Sequence, residues 1–135
     1  MNIGEAAKAS GISRKMIRYY ESIGLIEPGR SVNGYRVYGP RDIHALQFIG
    51  AARRLGFSLP GTGEVLRLWQ DRSRSSADVK RLADGHIKEL RSRAAELQAM
   101  MDALEALAAA CRADERPDCP IIEAMAKQGD ILQAR

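Results

Sequence analysis

Eight small or apolar residues, Ala83, Ile87, Leu90, Ala94, Leu97, Met101, Leu104 and Ala108, follow one another at alternating spacings of four and three. That alternation is the a/d pattern of a heptad seam, which runs along one side of a single long helix. A helix from about Ser76 to Ala110 would extend on the order of 50 Å at about 1.5 Å per residue. Its seam must be covered. Packing within the chain is one solution, but the shorter segments upstream have a core of their own to fill. A second copy of the chain is therefore the expected partner, with antiparallel pairing allowed but not fixed by the spacing.

The segments upstream punctuate themselves. Asn2 followed by Glu5 reads as an N-cap with its N3 partner, opening a helix of about two turns that stops at Gly11. Ser13 caps a second helix carrying Met16, Ile17 and Tyr20 and ending at Gly24. From Leu25 to Gly39 the turn formers Pro28, Gly29, Asn33 and Gly34 alternate with Tyr35, Val37 and Tyr38, which favour extended backbone, so a small hairpin is expected. Pro40 suits the first position of a helix through Ile43, Leu46, Ile49 and Arg53 to Gly56. Ser58 caps the next, with Val65, Leu66, Leu68 and Trp69 as its expected buried side. Ser75-Ser76-Ala77-Asp78 forms a capping box ahead of the long helix. Beyond Ala110, Pro117 and Pro120 frame a loop, and Ile121 to Lys127 suit a short terminal helix.

Charge is divided unevenly. Residues 1–72 hold 11 Lys/Arg against 6 Asp/Glu, and residues 73–135 hold 10 against 11, so the first part carries +5 and the second −1. A basic front half fits a polyanion, although charge alone does not separate nucleic acid from a solvated basic face. The helix punctuation adds direction. A short helix, a glycine-centred turn and a second helix beginning Ser13-Arg14-Lys15 is the arrangement that sends a helix N-terminus into the major groove. Arg14, Lys15, Arg18, Tyr19 and Tyr20 continue that face, and Asn33-Gly34-Tyr35-Arg36 places a tyrosine and an arginine on the hairpin, where a wing would meet the flanking backbone. The plainer alternative keeps Tyr20 in the core and pairs Arg18 with Glu21.

No apolar run approaches a membrane span, and no secretory pattern follows Met1, so the cytoplasm is the expected compartment. A reducing compartment argues against a structural disulfide between Cys111 and Cys119. Seven residues separate them, which is not zinc-finger spacing. Two thiolates on a closed loop can ligate a soft monovalent ion, and an unremarkable pair of thiols is the alternative. A thiol enzyme built on Cys111 lacks a His or Asp partner and any Gly-rich cofactor loop. His86 beside the seam and His44 in an early helix fit structural or solvent-facing positions.

Three blocks together resemble the MerR family: Met1-Asn2-Ile3-Gly4-Glu5-Ala6-Ala7; Ile17-Arg18-Tyr19-Tyr20-Glu21 with Gly24-Leu25-Ile26; and Asn33-Gly34-Tyr35-Arg36-Val37-Tyr38. The likeness continues through Leu55-Gly56-Phe57-Ser58-Leu59 into the long helix. It implies a mainly α fold: a winged helix-turn-helix over 1–72, a coiled-coil dimerisation helix over 73–110, and a metal-binding loop and short helix over 111–135. It also implies a homodimer on double-stranded promoter DNA that distorts the duplex on sensing its effector, so that RNA polymerase engages both promoter elements. Cys111 and Cys119-Pro120-Ile121-Ile122-Glu123 further resemble the metal loop of the copper-responsive, CueR-like subgroup, which implies Cu(I), with Ag(I) or Au(I) as alternatives. Ser76-Ala77-Asp78-Val79-Lys80 matches the subgroup's serine motif. That match implies a selectivity role for Ser76 and Lys80, contributed from the other protomer. A MerR-type regulator of another effector is the alternative. Some subgroup members carry a Cys/His-rich tail; residues 129–135 of this chain have neither residue.

Overall fold

Reciprocal capping starts the chain. In the computed structural model, which describes the backbone of residues 1–133 and the side chains of residues 1–128, the Asn2 side chain accepts the Glu5 N–H at 2.9 Å and the Glu5 carboxylate accepts the Asn2 N–H at 3.1 Å. This box opens α1 (Ile3–Ser10), and Gly11, at φ 77°, closes it by returning its N–H to the Ala7 carbonyl. Only three residues then separate α1 from α2 (Arg14–Ser22), because Ser13 at once caps the new helix through the Met16 N–H at 3.2 Å. Such a short link holds the two helices in a fixed crossing.

The hairpin is smaller than expected. β1 (Gly29–Arg30) and β2 (Arg36–Val37) are antiparallel, with Gly29 opposite Val37 and Arg30 opposite Arg36. The rest of the Leu25–Gly39 segment finds other partners. Tyr38 exchanges backbone bonds with the chain's first residue, donating to the Met1 carbonyl at 2.7 Å and accepting from the terminal ammonium at 2.9 Å.

α3 (Pro40–Arg54) has no capping side chain at Gly39, so Asp42 supplies the anchor by accepting the Gly39 N–H at 2.8 Å. α4 (Leu59–Gln70) starts on Ser58, whose hydroxyl accepts from Gly61 at 3.1 Å. A single core joins these elements: Ala6, Ile17, Tyr20, Ile26, Tyr38, Ile43, Leu46, Ile49 and Leu66. Burial of each of the larger aliphatic members stabilises the fold by about 1.5–3 kcal/mol. Of the expected buried side of α4, Leu66 is buried beside Thr62 and Gly63, while Val65 and Leu68 are half-buried. A Cβ at Gly63 would stand 3.3 Å from Leu25, so the chain after α2 presses against this face. Trp69 is displaced to the edge, 38% exposed, where it stacks on Phe48 at 4.8 Å.

α5 (Ser76–Ala110) is the expected long helix. Two compact units divide within it, one ending at His86 and the other beginning at Ile87. Its first turns belong with the N-terminal unit because His86 stacks on Phe57 at 3.9 Å and its Nε2 lies 2.7 Å from the Leu55 carbonyl. In the second unit α5 runs into a loop and α6 (Pro120–Gln133), longer than the expected Ile121–Lys127. Gly129 lies inside it, since one helical glycine costs only about 1 kcal/mol relative to alanine and does not by itself end a helix. The reading of residues 129–135 as a tail without cysteine or histidine falls outside the described side chains. No described helix is long and apolar enough to cross a membrane.

Candidate functional site

At the head of α2, Arg14, Lys15, Arg18 and Tyr19 are all exposed. Arg14 lies back over α1: a Cβ at Gly4 would stand 2.8 Å from its Nη2. Ser13 is placed with them, but its hydroxyl is engaged as the cap. Arg18 takes part in no ion pair among the described residues, and Glu21, its suggested partner, is engaged elsewhere. Tyr20 does not belong to this exposed set. It is 4% exposed and packs in the core, because the helical period that buries Ile17 also turns residue 20 inward.

The hairpin tip projects. Val32 is fully exposed and Tyr35 is 74% exposed, with Asn33 and Gly34 between them. Gly34 takes φ 82°, which an L side chain adopts only with strain, and its N–H closes the turn on the Ser31 carbonyl at 2.9 Å. Arg36 is also exposed, yet its Nε–H donates to the Glu21 carboxylate, and Arg30 lies 3.8 Å from the same group. The sequence suggests Glu21 only as a partner for Arg18, not as a contact of the hairpin. The available signal was its isolation as the one acidic residue between Glu5 and Glu27. Next to it, Tyr38 is buried and its hydroxyl has no partner among the described residues. Burial, reinforced by the Glu21 charge, raises its phenol pKa above the ordinary range.

The two thiols close the loop between α5 and α6. Cys111 directly follows α5, its N–H on the Ala108 carbonyl at 3.1 Å. Cys119 directly precedes α6, and its carbonyl accepts the Glu123 N–H at 3.0 Å. Its sulfur accepts the Ile122 and Ile121 N–H groups, which together with Cys111 hold its pKa below the usual thiol value. Between them, Ala113 adopts φ 55°, and Asp114 accepts both the Arg116 N–H and its guanidinium. These constraints leave the sulfurs 3.7 Å apart. That separation is far beyond a disulfide bond of about 2.05 Å. Among the described residues, no group of three or more His, Cys, Asp or Glu is placed to hold a metal.

The cap of α5 is Ser75, whose hydroxyl accepts the Asp78 N–H at 3.2 Å, and Ser76 is the first helical residue. Lys80 bonds Asp84 at 2.9 Å on the exposed face of α5, and that hydrogen bond and charge raise the ammonium pKa. His86 is held by Phe57 and Leu55, as a structural residue would be, while His44 is exposed on α3.

Comparison with known proteins agrees with this architecture. Residues 1–69 match the model of the MerR HTH family regulatory proteins, and residues 43–107 match that of the MerR DNA-binding region. The chain is 58% identical to the HTH-type transcriptional regulator HmrR of Sinorhizobium medicae, over 96% of this chain and 88% of that one. It is 54% identical to heavy metal-dependent transcription regulator 1 of Rhizobium meliloti, covering 100% and 93%. It is 45% identical to the HTH-type transcriptional regulator CueR of Escherichia coli O157:H7, covering 91% and 92%. Among solved structures, the transcription regulator PbrR691 of Ralstonia metallidurans in complex with lead(II) superposes with a TM-score of 0.80 at 31% identity, over 93% of this chain and 98% of that one. A non-enzymatic DNA-binding protein with this helix-turn-helix, wing and long helix is thereby placed, and the chain belongs to the MerR family of transcriptional regulators.

Proposed function

We propose that the chain is a Cu(I)-responsive transcriptional activator, with Ag(I) and Au(I) as alternative effectors held at the same site. The observation that carries this reading is the thiol pair: two sulfurs 3.7 Å apart, one of them at the N-terminus of α6 with its pKa lowered by the Ile122 and Ile121 amides. The donor set fits the ion. Thiolate sulfur selects soft metals, and one ion reached by bonds of roughly 2.3 Å bridges any two sulfurs closer than about 4.6 Å. Two thiolates with a monovalent ion leave a net charge of −1, which a helix N-terminus favours. A divalent ion would leave the pair neutral and wanting further ligands. The names of the relatives agree in part, since one is a heavy metal-dependent regulator and CueR is more distant than HmrR.

The same reading assigns the remaining parts. Arg14, Lys15, Arg18 and Tyr19 meet promoter DNA, as does the wing that Asn33–Arg36 build; Ser13 positions α2 by capping it. The α5 seam, whose Ile87, Leu90, Leu97, Met101 and Leu104 are 38–58% exposed, pairs two copies. Ser76 and Lys80 contribute to selectivity against divalent ions. Bound metal would link the end of α5 to the start of α6, and the regulator would reshape the promoter for RNA polymerase in the cytoplasm. Anaerobic titration with Cu(I) against a competing chelator tests the assignment. One ion per cysteine pair is expected, lost in Cys111→Ser/Cys119→Ser, and unchanged binding by that variant would refute it. Zn(II) titrated in parallel should bind far more weakly.

A further inference from the structure

A hairpin with two residues in each strand has little stability of its own. This one also sets Arg30 directly opposite Arg36, and like charges across a pair are destabilising. Both guanidiniums lie beside one carboxylate, Glu21 of α2, whose side chain is 17% exposed against 53% for Arg30 and 43% for Arg36. Arg30 additionally donates to the Gly34 carbonyl at 3.1 Å, reaching across the turn to the wing tip. We infer that Glu21 is the positioning residue of the wing, fixing it to the DNA-reading helix through Arg36 and Arg30. On this view Arg36 orients the wing and does not itself neutralise a phosphate.

The inference rests on the reading that the wing tip meets DNA, and the two can fail separately. The probe is a duplex selected by the wild-type protein from a random-sequence pool, with affinity measured by anisotropy across a salt series. Glu21→Gln should weaken binding about tenfold with the slope of log K against log salt unchanged, because positioning is lost and no phosphate contact is. A carboxylate that merely opposed the phosphates would do the reverse, and tighter binding with a steeper slope overturns the inference. In a double-mutant cycle, Glu21→Gln/Arg36→Gln should be no worse than the weaker single variant; additive losses also overturn it. If circular dichroism finds Glu21→Gln unfolded, Arg36→Gln alone decides: an unchanged slope supports the clamp, and a slope shallower by about 0.9 per protomer assigns Arg36 to a phosphate. Tyr35→Ala separates the two levels. Weaker binding by Tyr35→Ala beside unaltered binding by Glu21→Gln removes the clamp alone, whereas unaltered binding by Tyr35→Ala removes the wing's contact and the clamp with it.

Discussion

Arg18 offers the sharpest test of how the protein holds DNA. Its side chain is exposed on α2 and enters no ion pair among the described residues, so its charge is available to a phosphate. Each neutralised phosphate contributes a slope of about −0.9 to the dependence of log K on log salt. The proposed dimer would present Arg18 twice, so Arg18→Ala should make the slope shallower by about 1.8. Between roughly 50 and 200 mM salt, a fourfold change, the deficit of the variant relative to wild type should then shrink about twelvefold. Anisotropy titrations of a labelled duplex at both salt concentrations read this directly. A guanine-edge contact would instead cost about 1–3 kcal/mol per contact in a sequence-dependent way. A deficit equal at the two salt concentrations refutes the phosphate assignment, and no deficit at all takes Arg18 off the DNA.

Two further outcomes follow from the interior and the thiol loop. Thr62 is fully buried with a hydroxyl that has no partner among the described residues, so Thr62→Val, close to isosteric, should stabilise the N-terminal unit by about 1 kcal/mol. Thermal unfolding should show a midpoint raised by a few degrees; a lowered midpoint would mean the hydroxyl is satisfied in solution. The Cys119 thiol, depressed by the Ile122 and Ile121 N–H groups and by Cys111, should be alkylated by iodoacetamide with a pH midpoint below that of a free thiol. Because its folded pKa is the lower one, its contribution to stability is present above the unfolded pKa and is lost as pH falls through the folded pKa. A midpoint at or above the free-thiol value, in a Cys111→Ser background where the amide bonds remain, contradicts the helix-terminus geometry.

Local chemistry made most of the fold legible. Asn2, Ser13, Ser58 and Ser75 each cap the helix expected of them because a cap involves atoms three residues away, and the seam fixed α5 because its period repeats for 26 residues. What escaped depends on distant partners. Glu21 meets Arg36 across 15 positions, and the strand pair that sets Arg36 beside Arg30 is only two residues long, so no local pattern announces either. Tyr20 is expected on the outward face with Arg18 and Tyr19, with a core position as the alternative, and its spacing from Ile17 decides for the core. Trp69, expected on the buried side of α4, lies at its edge, whereas the close approach of Leu25 to Gly63 marks the side that is buried. The cysteine spacing allowed any loop closure. The left-handed Ala113 and the Asp114–Arg116 bonds, with a helix end at each side, choose the closed one.

The closure of that loop has a kinetic and competitive meaning. One sulfur confined within 3.7 Å of another occupies a sphere in which its local concentration is on the order of 8 M, far above the millimolar values that a flexible tether provides. At the proposed metal site, an ion caught by Cys119 would meet Cys111 before it met any dissolved thiol, and a soluble competitor would need molar concentration to take the second position. On the proposed metal-binding reading, the protein would capture scarce metal from a thiol-rich solution by geometry set at folding, with little ordering left to the moment of binding.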